Sequence, residues 1–167
     1  IPDGFKAMVP AIMILVFAWS LKAMTDSLGA AVFVEEAVKG FAGDFMAFLP
    51  AIVFVIGCFL AFATGTSWGT FGILIPIVVN IFPVGSELGI VGMSACLAGA
   101  VCGDHCSPIS DTTIMASTGA KCDHINHVST QLPYVLTVAV VSFAGYILAG
   151  FVQNAWIVLP VSMVVLV

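Results

Sequence analysis

Gly103-Asp104-His105-Cys106-Ser107-Pro108-Ile109-Ser110-Asp111-Thr112-Thr113 packs two carboxylates, one imidazole and four hydroxyls into eleven residues of an otherwise apolar neighbourhood. Residues 88–102 before it carry no charge, and the next charge after it is Lys121. The strip therefore reads as lying at membrane depth, where ionisable groups are costly and face a partner or a water-filled path. Pro108 sharpens the reading. Its ring would clash with the carbonyl of Asp104 four residues back, and it pushes Ser107 out of the α region. The spacing predicts an interrupted helix, whose freed carbonyls and helix ends face whatever occupies the gap.

Composition agrees with membrane depth. Of the 167 residues, 61% are hydrophobic and 8% charged, with a mean hydropathy of +1.20, whereas a soluble domain is roughly a quarter charged. The expected class is an all-α integral membrane protein, a polytopic helical bundle. Nine acids stand against four lysines, without an arginine, for a net charge of −5. That balance excludes the basic footprint of a nucleic-acid binder. Five irregularly spaced cysteines read as small apolar residues of helix interiors rather than a disulfide framework. The chain opens on Ile1 and stops inside the apolar run 155–167, too short for a bilayer that needs about 20 helical residues. Residues 1–167 are thus expected to form a single membrane domain fragment, the C-terminal part of a longer transporter-sized protein.

Outward from the strip, residues 7–21 read as a membrane helix flanked by Lys6 and Lys22. Pro10 and Trp19 inside the run, without a small-residue cleavage site, argue against a signal peptide. Residues 22–44 are the most charged and read as interfacial, with Asp26 a minor candidate for lining a path. Between Asp44 and Glu87, 42 residues carry no charge, about 63 Å as continuous helix, or twice a hydrocarbon core. The chain must turn back there. Turn chemistry is found at Thr64-Gly65-Thr66-Ser67-Trp68-Gly69-Thr70, which predicts arms at 45–63 and 71–82 joined as a re-entrant or tight hairpin. Gly99-x-x-x-Gly103 has the spacing that lets helix backbones approach closely in lipid. A short polar connection at 122–127, with Gln131 and Pro133 after it, leads into the next span at 134–152, and four scattered lysines leave the orientation open.

The strip, followed by Ser117-Thr118-Gly119-Ala120 and by Asp123-His124-Ile125-x-His127-Val128-x-Thr130-Gln131-Leu132-Pro133-Tyr134, closely resembles the signature of the NhaC family of sodium/proton antiporters. Ala63-Thr64-Gly65-Thr66-Ser67-Trp68-Gly69-Thr70, with Pro76, is similar to that family's second polar segment. The resemblance implies membership of the ion transporter superfamily, in which inverted repeats each contribute a hairpin and an interrupted helix to a midplane site. This chain would hold one repeat, with 64–70 at the hairpin tip and 104–113 in the break. It implies a multi-pass protein of the bacterial inner or plasma membrane. Its partners would be the lipid bilayer, the transported Na+ and H+, the companion N-terminal repeat and, as an open alternative, further copies in a homo-oligomer. No cofactor beyond the transported ions is implied. Exchange coupled to small organic anions such as malate and lactate, found within the family, stays open as an alternative.

The residues carry their own chemistry. Sodium is a hard cation that takes oxygen ligands, and carboxylate, hydroxyl and freed carbonyl groups are what the strip supplies. Asp104 and Asp111, seven apart with Ser107 between, would share a face on residual helix. Thr66 and Ser67, with Thr64, could close the site from the hairpin tip, and Ser110 adds a further hydroxyl. A lone carboxylate in a low-dielectric cavity favours its protonated form and a bound cation favours the ionised one, so proton and sodium compete. If exchange between conformations requires one of them, that competition is antiport. The plainer role for an aspartate here is to cap the helix restarting at Thr112. His105 either tunes the pH response or makes a structural hydrogen bond, and Thr112 and Thr113 read as helix-start hydroxyls. Two rivals come from other classes. Gly65-Thr66-Ser67-Trp68-Gly69 matches the serine hydrolase elbow, which needs a strand before the serine. Cys102, His105, Cys106, Cys122, His124 and His127 are zinc-ligand types. The expectation is a transporter rather than an enzyme.

Overall fold

The computed structural model describes residues 2–29, 32, 36, 46–82 and 85–166. Most of the interfacial stretch expected at 22–44 lies outside the described residues, as does the side chain of Asp26. All regular structure among the described residues is helical: α1 (Pro2–Ser27), α2 (Leu49–Thr64), α3 (Ser67–Ile81), α4 (Glu87–Cys106), α5 (Asp111–Ala120), α6 (His124–Val152) and α7 (Ala155–Leu166). Two of these, α4 and α6, are long and apolar enough to cross a membrane.

The turn between α2 and α3 is tighter than the sequence suggests. Gly65 ends α2 with φ 65°, in the left-handed region that glycine adopts without strain, and its N–H reaches the Ala61 carbonyl at 2.8 Å. Thr66 is extended and its hydroxyl accepts from the Gly69 N–H at 3.4 Å, capping α3. The turn is therefore Gly65-Thr66 alone. Residues 67–70, expected in the hairpin tip, form the first turn of α3, because the Thr66 cap satisfies an orphan donor immediately. At 16 and 15 residues the arms are about 24 and 22 Å long, short of a hydrocarbon core of about 30 Å.

The break falls where Pro108 places it. Ser86 caps α4 by accepting from the Gly89 N–H at 3.0 Å. The helix then runs to Cys106, four residues beyond the expected 88–102, so that Asp104 and His105 sit in its last turn. Ser107 leaves the helix in an extended conformation. Ser110 caps the restart by accepting from the Thr113 N–H at 3.3 Å, and α5 begins at Asp111. The capping role considered for an aspartate is thus taken by a serine. Asp123, accepting from the Asn126 N–H at 2.8 Å, starts α6 ten residues before the expected span. One strong cap outweighs the polarity of 124–133.

Packing centres on α2 against α4. A Cβ on Gly57 would lie 3.1 Å from the Ala100 nitrogen, and one on Gly99 or Gly103 would meet the Phe54 or Cys58 carbonyl. Phe54 to Cys58 and Gly99 to Gly103 are both four-residue steps, so consecutive turns of the two backbones interlock as the small-residue spacing predicts. Leu49, Val53, Leu74, Ile77, Val78, Phe82 and Cys96 form the core shared by α2, α3 and α4. The α6 helix lies along this core through Phe48–Phe151 and Phe54–Tyr146 ring contacts at 5.1 and 5.3 Å. Large apolar side chains on the outer faces, such as Trp156 and Phe59, are exposed, which suits a lipid environment.

Candidate functional site

Asp104 is 1% exposed in the last turn of α4. Its Oδ2 accepts from the Ser67 hydroxyl at 3.1 Å and from the Thr112 hydroxyl at 3.4 Å. Its Oδ1 is buried with no hydrogen-bond partner among the described residues. The donors come from the first turns of α3 and α5, the positive ends of those helix dipoles. A buried polar atom left unpaired costs of order 1–3 kcal/mol, more when charged. Oδ1 is thus an acceptor whose partner the described residues do not supply.

The hairpin turn is pinned to the break. The Asp111 N–H donates to the Gly65 carbonyl at 3.3 Å, and a Cβ on Gly65 would lie 2.5 Å from the Ile109 oxygen. The Ser107 hydroxyl donates to the Phe62 carbonyl at 2.7 Å and accepts from the Ile109 N–H at 3.3 Å. Backbone polar groups released by the interruption are therefore met by the facing helix end.

The expected site residues separate into groups. Asp104 and Ser67 meet directly, and Thr112, read from sequence as only a helix-start hydroxyl, joins them. Ser107, Ser110, Thr66 and Thr64 are buried close by, but their hydroxyls are engaged. Ser110 caps α5 and bonds Thr112 at 2.7 Å, Thr66 caps α3, and Thr64 donates to the Leu60 carbonyl at 2.8 Å. Asp111 is half-buried and near enough to Asp104 for the two carboxyls to interact electrostatically. They do not share a helix face as expected, because four non-helical residues, 107–110, separate α4 from α5. His105 is exposed, with Nδ1 at 2.9 Å from the Val101 carbonyl.

His124 is the residue that sequence reasoning placed wrongly, in an interfacial connection. It stands at the start of α6 with Nε2 at 2.6 Å from the Pro108 carbonyl and Nδ1 at 3.0 Å from the Ser117 hydroxyl. A carbonyl only accepts, so Nε2 carries a hydrogen and ties the break to α5 and α6. No local pattern signals a contact spanning 16 residues. His124→Ala should cost about 1–3 kcal/mol by orphaning the Pro108 carbonyl, and His124→Gln should recover part of it; thermal unfolding in detergent measures both.

Neither rival site assembles. Ser67 donates to a carboxylate rather than to an imidazole, and a helix precedes it, so the hydrolase elbow is not formed. Among the described residues no three His, Cys, Asp or Glu side chains come together as a metal site, because His124 is committed to the break and Cys122 is exposed.

An apolar helical bundle built around a buried carboxyl beside an interrupted helix has the make-up of an ion-coupled membrane transporter. The profile of the Na+/H+ antiporter family matches residues 1–151, and the chain belongs to that family, as the resemblance of residues 103–134 implies. It is 51% identical over 152 residues to an uncharacterized protein of Haemophilus influenzae, covering 90% of this chain and 29% of that protein. It is 36% identical over 104 residues to the malate-2H(+)/Na(+)-lactate antiporter of Bacillus subtilis (58% of this chain, 22% of that protein). It is 38% identical over 112 residues to the arginine/ornithine antiporter ArcD of Halobacterium salinarum (63% and 22%). The chain thus spans less than a third of the length of these relatives. No solved structure matches it.

Proposed function

We propose that the full-length protein to which this chain belongs exchanges sodium for protons across a membrane, with Asp104 as the shared carrier. The observation that carries the reading is the orphaned, buried Oδ1 of Asp104. A proton on that oxygen or a sodium ion beside it offsets the same buried negative charge, and one carboxyl does not hold both at once. The oxygen-rich surroundings fit a hard cation: the Ser67 and Thr112 hydroxyls at hand, with Ser107, Ser110, Thr66 and Thr64 behind them. Asp111 biases the site by its charge, and His105 lies at its edge. In this reading Ser67 lies nearest the sodium position, and Thr66, Ser107 and Asp111 contribute to its polar surroundings.

In this reading α2 and α3 form a re-entrant hairpin, a geometry supported by arms shorter than the hydrocarbon core. The protein is multi-pass, sits in a bacterial inner membrane, and completes its site with a companion N-terminal repeat. A second reading draws support from the Bacillus relative: small carboxylates such as malate and lactate travel in exchange with the ions. The test is sodium-driven proton movement in vesicles carrying the full-length protein. A sodium pulse added outside should alkalinise the lumen, because sodium entering exchanges for protons leaving, and acidification or the absence of any proton flux with correctly inserted protein would overturn sodium/proton exchange.

A further inference from the structure

Close packing of α2 on α4 also brings three of the five cysteines to one place. Cys58 lies on α2, and Cys102 and Cys106 lie one turn apart on α4. The Cys58 thiol is within hydrogen-bonding reach of the Cys102 thiol, which also reaches that of Cys106. All three are half-buried, whereas Cys96 is sealed in the core and Cys122 is exposed beyond α5. The three thiols do not form a metal site, and the antiport reading gives them no role. Their setting is tight. A Cβ on Gly103, the residue after Cys102, would lie 2.9 Å from the Cys58 Cα, so the two backbones approach closely at this pair. A disulfide needs Cα atoms about 4.4–6.8 Å apart and side chains turned toward each other, and adjoining backbones with facing thiols are that arrangement. Cys106 offers no alternative cross-link to α2 through Cys102, because a bond between those two would join α4 only to itself. Both partners lie inside the interface on which the packing of this chain centres, so the pair is complete without any residue beyond it.

We propose that Cys58 and Cys102 are a redox-sensitive dithiol that a peroxide closes into a disulfide, locking the hairpin arm α2 to the interrupted helix α4 and halting exchange. The chemistry balances with hydrogen peroxide as the oxidant. One thiol, as its thiolate, attacks a peroxide oxygen; the O–O bond breaks, the sulfur becomes a sulfenic acid and a first water leaves. The second thiol attacks that sulfur, the S–O bond breaks, and the S–S bond forms as a second water leaves. The two sulfurs give up two electrons, and both thiol protons end in water. The new bond would fall beside the ion site. Cys102 lies just before Asp104 on α4, and α2 runs from Cys58 to the Gly65 turn, whose carbonyl accepts from the Asp111 N–H. Asp104 releases an ion to alternate sides only if the groups walled around it part, and Ser67, which donates to it, follows that turn directly. A covalent tie between α2 and α4 restrains that parting. The halt of exchange rests on the antiport reading above, whereas formation of the disulfide does not.

The test uses the full-length protein in proteoliposomes, treated with hydrogen peroxide and then with dithiothreitol. Peptide mapping by mass spectrometry should find Cys58 linked to Cys102 after peroxide. Sodium-driven proton flux, followed with a pH dye, should be lost with the linkage and return on reduction. Cys58→Ser and Cys102→Ser should each keep the flux of the reduced protein and lose its sensitivity to peroxide, while Cys106→Ser stays sensitive. Alanine at either position serves in place of serine should a hydroxyl there disturb insertion. Absence of the Cys58–Cys102 linkage in the oxidised wild type overturns the dithiol, as does undiminished peroxide sensitivity in variants lacking either cysteine. Linkage with flux unchanged overturns the lock. Absence of proton flux in the reduced wild type overturns sodium/proton exchange and the lock with it, and the mapped linkage still decides the dithiol.

Discussion

Asp104→Asn should bring exchange down at least about 100-fold, equivalent to about 2.7 kcal/mol of lost stabilisation, while leaving the protein inserted and folded. The substitution keeps shape and volume, and the Ser67 and Thr112 hydroxyls can still donate to the amide oxygen. What it removes is the ability of the buried Oδ1 position to alternate between a proton and a cation. Stability separates this outcome from misfolding. Sodium bound only by the folded protein at about 100 times its dissociation constant should add about 2.7 kcal/mol to the wild type and nothing to Asp104→Asn. Thermal unfolding with and without sodium measures the difference. Asp111→Asn should shift the sodium dependence without abolishing flux, because Asp111 is half-buried beside the break and is not among the groups that hydrogen-bond the Asp104 carboxyl. Full activity of Asp104→Asn would remove the carrier assignment.

Gly103→Val should destabilise the bundle by about 3 kcal/mol or more, the upper end of overpacking penalties. A Cβ on Gly103 meets the backbone carbonyl of Cys58, and a backbone cannot rotate aside as a side chain can. The α2 and α4 helices would have to separate, and with them Thr64 and Gly65 from the break. Gly119→Ala in α5 is the contrasting case, since a Cβ there meets nothing within 4 Å. It should be neutral or gain up to about 1 kcal/mol from helix propensity alone. Denaturant titration in detergent compares the two, and equal effects would mean that close backbone contact does not hold α2 against α4.

The difference between those glycines marks where sequence reading ends. Gly99-x-x-x-Gly103 was legible because close helix approach in lipid demands a fixed four-residue step. The break at Ser107–Pro108 was legible because proline geometry acts within four residues. Class and site neighbourhood followed in the same way, from an uninterrupted lack of charge that only lipid tolerates and a polar strip within it. Local chemistry also misled: residues 67–70 read as a turn, and 124–127 as connection, because a single Thr66 or Asp123 cap decides a helix start against many polar neighbours.

Short-range sterics and solvation thus determined, from the sequence by itself, that this is a membrane bundle interrupted at Pro108 around an acidic strip. Only the tertiary structure decided which carboxyl is withdrawn from solvent and which hydroxyls reach it. Ser67 lies 37 residues from Asp104 in the chain, and His124 lies 16 from Pro108. Contacts of that span depend on how α3, α5 and α6 pack on α4, which no local pattern encodes. The separation of Asp104 from Asp111, spaced as if for one face, has the same cause: once the helix is broken, seven residues no longer measure two turns.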